Sequence, residues 1–570
     1  MYRALRVNLS TLTVTEEPAK KEYLGLGGRG LVARVLRDEV DPTCDPLGPE
    51  NKLVLCTSAL AGLGLSSSSR LSVGCKSPLT GGIKEANSGG TVPFYLARHG
   101  IQLVIIEGAA RGEGPWVVRV DARGRASLEE APECREMNNY ELVARLRSRY
   151  GPGIAVASIG AAGERCYRNA AVMVTEYGTD YPCRAAARGG VGAVMGAKGV
   201  KAVVVEKPET PYSAPVADPE RLAAVRRELH RLMAEGAKDH ELRQIGTVAA
   251  VLHHAEAGQV PVRNFSGKRL EGLEGISGER FREIASRRGK TGLPCQSGCI
   301  LRCANLLYDQ EGRLLTAGLE YETVALCGAN CGITDLEAVA RLDYLCDDLG
   351  IDTIETGATI ALCMEAGRIP WGDAKAAAEL IREMMAGTEF GRVLGQGAEA
   401  VGRYLGVERI PVAKHQAMAG YDPRGAPITA VAYATSPMGA DHTTAPSFGV
   451  SGDVSPEEIC NLSRNLQILF ATWDNLFCAL AAIFWGGHLD KLAALYAAAY
   501  GGPAEPDRLL DLGRNTIRWE KEFNRAAGWT EADDVLPEFF YREKSEVTGT
   551  AFNIPPEVMR GTLKGLVDKG

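Results

Sequence analysis

The chain has 570 residues, 45% of them hydrophobic and 24% charged, with a net charge of −7. That is globular composition over about four domain-sized units of ~150 residues, and it excludes a disordered tail protein, a collagen-like repeat and a basic footprint for nucleic acid or an anionic membrane. Glycine is in excess at 66 residues against a usual ~7%, and aromatics are scarce at 6%, so backbone is expected to approach something closely and repeatedly.

In chain order, Met1 to Val7 shows early charges but no apolar core of a secretory signal. The first ~205 residues predict short strands separated by glycine, such as Leu53–Cys56, Leu103–Ile106, Trp116–Val120, Ile154–Ala157 and Val200–Val205. Gly25 to Gly30 matches GxGxxG but lacks an apolar strand before it, and Gly190 to Gly196 is read the same way. Both suit tight turns that hold Arg29 or Arg188 beside exposed N–H groups. Ser66 to Gly90 is polar, carries Arg70, Lys76 and Lys84, and reads as a long functional loop.

Glu206 to Pro215 is proline-rich and predicts a linker. Beyond it the texture is helical. Asp218-Pro219 marks a helix start, and Thr334 to Glu337 predicts a capping box opening a helix that stops at Gly350. Asp352 would then lie just past that helix, where the dipole gives a carboxylate nothing. A weaker boundary falls near Arg409, and no fixed-period repeat is visible. The most apolar stretch, Leu476 to Gly487, is about a dozen residues, short of the ~20 that span a membrane. A cytoplasmic protein is expected, so most of the 15 cysteines read as buried small hydrophobes.

Cys295, Cys299 and Cys303 differ, because three thiols fall within nine residues. On a helix the outer pair would stand ~12 Å apart, so the segment must turn back, and Pro294 and Gly298 permit it. Three such thiolates suit zinc or an iron–sulfur cluster with a fourth ligand, for which Cys478, Cys327 and Cys331 compete. His442, in a polar glycine-containing turn, and Glu320 and Glu322 are acid–base candidates.

Nine segments in order resemble the tungsten-containing aldehyde ferredoxin oxidoreductase family: Gly27-Gly-Arg-Gly30, Lys76-Ser-Pro-Leu-Thr-Gly81, Asn87-Ser-Gly-Gly90, Ile159 to Glu164, Ala187 to Lys198, the cysteine segment, Glu320-Tyr-Glu-Thr323, Asp347-x-x-Gly-x-Asp352 and Tyr421-Asp-Pro-Arg-Gly425, followed by the late Cys478. The resemblance implies an α+β fold, with a β-rich cofactor base over 1–208 and two mostly helical domains over 209–410 and 411–570. It implies tungsten, or molybdenum, held by two pterins whose phosphates share Mg2+, beside a [4Fe–4S] cluster on Cys295, Cys299, Cys303 and Cys478. Matching positions assign pterin contacts to Arg70, Asn87, Gly89, Arg188, Gly189, Asp347, Ile351, Asp352, Asp474, Phe477 and Cys478. This sequence departs from the family pattern in the first cysteine gap, which is three residues rather than two, and in the late Asp474 to Cys478 element, which is one residue short and has lost its glycine. It also carries no Glu-x-x-His.

The expected activity is two-electron oxidation of aldehydes to carboxylic acids, with electrons passed to ferredoxin or a dedicated iron–sulfur subunit. A homodimer or hetero-oligomer and a small-molecule substrate are expected. The rival within the fold is the catalytic subunit of an aromatic acyl-CoA or carboxylic-acid reductase. The rival of another class is a non-catalytic zinc-binding scaffold.

Overall fold

The computed structural model of the chain describes residues 2–110, 112, 114–447 and 454–566. Its N-terminal third folds as two six-stranded sheets. The first contains β1 (Arg3–Asn8), β2 (Thr13–Pro18), β3 (Leu53–Thr57), β4 (Leu71–Lys76), β5 (Ile83–Ser88) and β6 (Ile101–Glu107), in the order β2-β1-β6-β3-β4-β5. The second contains β7 (Trp116–Val120), β8 (Ala126–Glu130), β9 (Ile154–Ser158), β10 (Val172–Val174), β11 (Arg184–Ala186) and β12 (Val200–Glu206), in the order β11-β10-β9-β12-β7-β8.

Period two explains how the sheets meet. Leu5 and Val7, Leu71 and Val73, Val104 and Ile106 from the first sheet share one core with Ala155 and Ala157, Val203 and Val205 from the second. The intervening residues Val54, Cys56, Leu103 and Ile105 face outward under the helix Gly28–Glu39. Val117, Val156, Ala202 and Val204 do the same under the helix Asn139–Tyr150. Both faces of each sheet are therefore covered, which is why the strands read as continuous apolar runs.

The two sheets also repeat one plan. In each, a hairpin (β1–β2, β7–β8) is followed by an outer helix, three antiparallel strands, a short helix (Val92–Arg98, Val191–Ala197) and a last strand running parallel to the first. The sequence shows no such period, so the absence of a repeat is corrected at the level of topology. Two further expectations change here. Ser66 to Gly90 is not one long loop: its central part is the largely buried β4–β5 hairpin, and Ser66, Ser67, Ser68 and Ser69 are buried before it. The glycine run at Gly190 does follow a strand, the three-residue β11.

After the extended, proline-rich segment the described residues are mostly helical, with a three-stranded sheet, β13 (Gly289–Leu293), β14 (Ala304–Tyr308) and β15 (Leu314–Ala317), and a two-stranded pairing of Val412–Ala413 with Gln416–Ala417. Asp218 caps the helix Pro219–Ala237 through the Arg221 N–H, with Pro219 in its first turn. The helix Leu336–Leu349 is capped by Asp335 rather than by Thr334, and Gly350 closes it with φ 77°. The helix Gly28–Glu39 is tied to the C-terminal helix Pro506–Ala526 by Arg29, which makes a two-pronged ion pair with Glu520 at 2.7 and 2.9 Å, both side chains buried. Among the described residues no single helix is long and apolar enough to cross a membrane.

Candidate functional site

The cysteine segment is the connection between β13 and β14. It is a loop, reversed at Gly298 (φ 72°) and Arg302 (φ 54°), so the three thiols turn back on one another. Cys478 reaches them from the end of the helix Pro456–Leu476, its N–H bonded to the Ser67 carbonyl at 2.8 Å. The base grips the loop from the other side, with the Gly90 N–H on the Cys295 carbonyl at 3.0 Å. Cys295, Cys299 and Cys303 are buried and Cys478 is half-buried.

The four thiols share one electrostatic neighbourhood. A hydrogen bond from Cys299, then the Arg184 and Arg70 guanidiniums, bring the Cys295 thiol down to about 6 against the cost of burial. Burial, with Glu320, Cys295 and Cys478 adding, pushes Cys303 up. A buried group of thiols biased toward one thiolate is a donor set that a cationic cluster would satisfy. Among the described residues no three His, Cys, Asp or Glu side chains close on a single ion. Cys327 and Cys331 lie instead in the helical core, the Cys331 thiol facing the Leu326 and Gly357 carbonyls.

Gly89 lies where the cysteines meet the base. A Cβ there would stand 3.1 Å from Arg70 Nη1 and 3.2 Å from Cys295 Sγ. Arg70 Nε in turn donates to Asn87 Oδ1 at 2.6 Å, fixing Arg70 against β5. In the second half of the base, Gly189 adopts φ 78°, and a Cβ there would strike the Lys84 side chain at 2.3 Å. Arg188 beside it donates to the Ala440 and Ala417 carbonyls and brings Nε to 3.1 Å from Asp352 Oδ2.

The Asp347 to Asp352 stretch is stapled onto the base. The Ala171 N–H meets the Gly350 carbonyl at 2.8 Å, the Asp352 N–H meets the Asn169 carbonyl at 2.9 Å, and Ile351 pairs with Ala170. Asp352 is not an idle acid past a helix: its Oδ1 caps the next helix, Thr353–Glu365, through the Ile354 N–H. Its Oδ2 and that of Asp347 are enclosed yet accept no hydrogen bond. Burial, then Asp343, raises Asp347 well above the carboxylate range. Asp474 is buried in the last turn of its helix, 3.5 Å from Arg29 Nη1, and is likewise pushed up by burial. Phe477 packs its ring between Trp473 and Trp485.

The acid–base candidates separate. Glu320 turns to Arg184 (3.1 Å) and the Thr247 hydroxyl, on the cysteine side. Glu322 opens a short helix that continues as a π turn over Val324–Gly328, a departure that often marks a working site. Its Oε2 accepts from the Gly420 N–H at 2.7 Å while Oε1 has no partner. Burial raises Glu322, opposed by His442, Gly420 and Arg188. His442 Nδ1 also lacks a hydrogen bond, with Asp441 Oδ1 3.7 Å away. His415 is elsewhere, on the surface with Glu399 at 2.6 Å.

Sequence reasoning passed over the hub of this arrangement. Asp441 binds Lys84 Nζ at 2.6 Å, both side chains buried, and its Oδ1 caps the turn through the Thr443 N–H. Despite burial, Lys84, His442 and Arg188 hold Asp441 below the usual carboxylate range. Glu85 is raised to about 7, chiefly by burial, and Glu355, similarly raised, accepts from the Ala398 and Ala417 N–H groups. The signal for Lys84 and Glu85 was a charged pair inside a segment that turns out to be a buried hairpin.

Buried polar atoms on Asp347, Asp352, Arg29, Arg188, Glu322 and His442 make no hydrogen bond, and those of Arg188 with Asp352, Arg29 with Asp474 and His442 with Asp441 lie only at ion-pair distance. Carboxylates with free oxygens and guanidiniums with free N–H groups suit the amino edges and phosphates of a large polar cofactor, so the residues present fit a pterin.

Comparison with known proteins agrees. The model of the aldehyde ferredoxin oxidoreductase N-terminal domain matches residues 4–207, and that of domains 2 and 3 of the same family matches residues 224–564. A tungsten-containing aldehyde ferredoxin oxidoreductase of Pyrococcus furiosus is 33% identical over 95% of this chain and 91% of its own length. An aliphatic sulfonate oxidoreductase WOR-like subunit from the same organism is 26% identical over 79% of this chain and 75% of its own. The solved active-site complex BamBC of benzoyl coenzyme A reductase with 1,5-dienoyl-CoA has a chain that shares the fold. Its TM-score is 0.80 at 18% identity, over 98% of this chain and 92% of that one.

Proposed function

The chain belongs to the aldehyde ferredoxin oxidoreductase family of oxidoreductases, and on that footing we propose that it oxidises aldehydes to carboxylic acids at a tungsten bis-pterin centre. The observation that carries this reading is Cys295 set against the Gly89 turn, with Cys478 tied to the same base through Ser67 and with oxygens of Asp347 and Asp352 that accept no hydrogen bond. When bound, the tungsten pterin would supply the two-electron chemistry, with molybdenum as the alternative metal and Mg2+ as a further bound ion.

The chain's own residues would do the rest. Cys295, Cys299, Cys303 and Cys478 would hold a [4Fe–4S] cluster, and Gly89 would leave no side chain between it and the base. Arg70, Asn87, Gly89, Arg188, Gly189, Asp347, Ile351 and Asp352 would bind the pterins, with Asp474, Phe477 and Cys478 at the far end. For Phe477 that contact would come from its extended backbone, since its ring is engaged with tryptophans. Burial keeps Glu322 protonated above the usual carboxylate range, so it can donate a proton through Oε1 and take one back, with His442 opposite as its partner. Glu320 serves the cysteine side through Arg184. The units 1–208, 209–410 and 411–570, a cytoplasmic setting and an electron acceptor that is ferredoxin or an iron–sulfur subunit complete the reading.

The test is anaerobic purification with metal and sulfide analysis and EPR. Tungsten or molybdenum with about four irons per chain is expected, whereas zinc alone would sink the enzyme reading. Viologen-linked assays across aldehydes and acyl-CoA thioesters then decide between aldehyde oxidation and the acyl-CoA reductase suggested by the fold neighbour.

A further inference from the structure

The helix Pro427–Thr435 is buried on every side from Ile428 onward. Its polar groups are accounted for with one exception. Thr429 donates its hydroxyl to the Ala445 carbonyl at 3.0 Å and Thr435 to Val431 at 2.8 Å. Tyr433 is fully buried, and its hydroxyl has no hydrogen-bond partner among the described residues. A buried phenol almost always finds a partner, and phenylalanine would fill the same volume without leaving a stranded O–H.

The helix is tied to the acid–base candidates at both ends. The segment that leads into it begins at Gly420, whose N–H holds Glu322 Oε2 at 2.7 Å, and its far end runs into the turn of Asp441 and His442. Three enclosed atoms that make no hydrogen bond thus lie on this helix and on the groups at its two ends: Tyr433 Oη, Glu322 Oε1 and His442 Nδ1. The neighbouring tyrosine is different, because Tyr321 spends its hydroxyl on the Gly420 carbonyl at 2.6 Å.

We propose that Tyr433 is a further substrate-binding residue, whose hydroxyl donates a hydrogen bond to the accepting oxygen of the substrate, the carbonyl of an aldehyde or the carboxylate formed from it. This rests on the oxidoreductase reading and deepens it by naming what the pocket recognises. Tyr433 breaks no bond. It orients the acyl oxygen and withdraws electron density from the carbonyl while Glu322 and His442 handle the proton.

The test is Tyr433→Phe in the full chain, purified anaerobically beside the wild type. The expected result is a fall in kcat/KM of roughly 10- to 100-fold, the effect of losing one hydrogen bond to a polarised or charged oxygen. Inhibition by benzoate should weaken to a similar degree. Tungsten and iron contents should be unchanged, and the melting temperature equal or higher, since a stranded polar group has been removed. A kcat/KM within twofold of wild type overturns the proposal. So does a drop of several degrees in melting temperature with parallel loss of tungsten, because the hydroxyl is then structural. If the wild type holds no tungsten and shows no turnover, the oxidoreductase reading fails by itself. The rise in melting temperature given by benzoate still decides on Tyr433: present in wild type and lost in Tyr433→Phe, it supports the proposal, while equal rises, or none in either protein, overturn it.

Discussion

Glu520→Gln isolates the buried link between the N-terminal base and the last long helix. Arg29 is 2% exposed and Glu520 1%, and the pair is closed by hydrogen bonds of 2.7 and 2.9 Å. Glutamine keeps the volume but leaves the guanidinium charge with only Asp474, 3.5 Å away and itself disposed by burial to hold a proton. Breaking a buried pair from one side costs about 3–5 kcal/mol, a large share of the ~5–15 kcal/mol that holds a domain together. The double variant Arg29→Met with Glu520→Gln removes the stranded charge and should recover much of the loss. Urea unfolding followed by tryptophan fluorescence, on anaerobically prepared protein, reads both. A Glu520→Gln chain within 1 kcal/mol of wild type, or a double variant no better than the single, would refute the reasoning, because the charge would then have found water or another partner.

Four further outcomes follow from the same structure. Asp343, bonded to the Thr316 hydroxyl at 2.6 Å, is raised by burial to about 7. Its folded form keeps a proton that the unfolded chain releases near pH 4, so its stabilising share is full below that pH and is lost as pH rises to about 7. Asp343→Asn should therefore gain on wild type by about 4 kcal/mol between pH 4 and 7, checked by unfolding at pH 5 and pH 8; a gap that does not change with pH would count against it. On the proposed function, Cys295→Ala should abolish an iron–sulfur EPR signal and lower iron content while the far-ultraviolet circular dichroism stays as in wild type. Glu322→Gln should cut kcat by about 10²–10⁴ with tungsten and iron retained; full activity would remove Glu322 from proton transfer. Gly89→Ala puts a methyl 3.1 Å from Arg70 Nη1 and 3.2 Å from the Cys295 sulfur, and should shift the cluster's reduction potential measurably without lowering overall helix content.

How much of this was legible in the sequence varied with the kind of residue. The strands of the base announced themselves as apolar runs, because both faces of each sheet are covered. Asp218-Pro219 fixed a helix start, since capping is a local property. The cysteine turn was legible for the same reason: spacing and Gly298 forbid a helix from collecting three thiols. What failed was everything decided by tertiary burial. Lys84 and Glu85 look solvated in sequence, yet they lie on a strand whose two sides are both inside, and Lys84 finds Asp441 more than 350 residues away. Asp352 looked unsupported because a second helix, Thr353–Glu365, begins right after it as well as one ending before it. Thr334 lost the cap to Asp335, a competition between adjacent capping residues that spacing alone does not settle.

The doubled plan of the base has a consequence for how the molecule conducts. The turn that leaves β5 carries Gly89-Gly90, and its counterpart leaving β11 carries Gly189-Gly190, each leading into the short helix of its own half. The two turns are electrically unequal: one opens toward the Cys295 sulfur and the other toward the Lys84 side chain. On the proposed function, a cofactor symmetric in its ligands would be wired on one side only, so the scaffold itself would give the electrons a single exit.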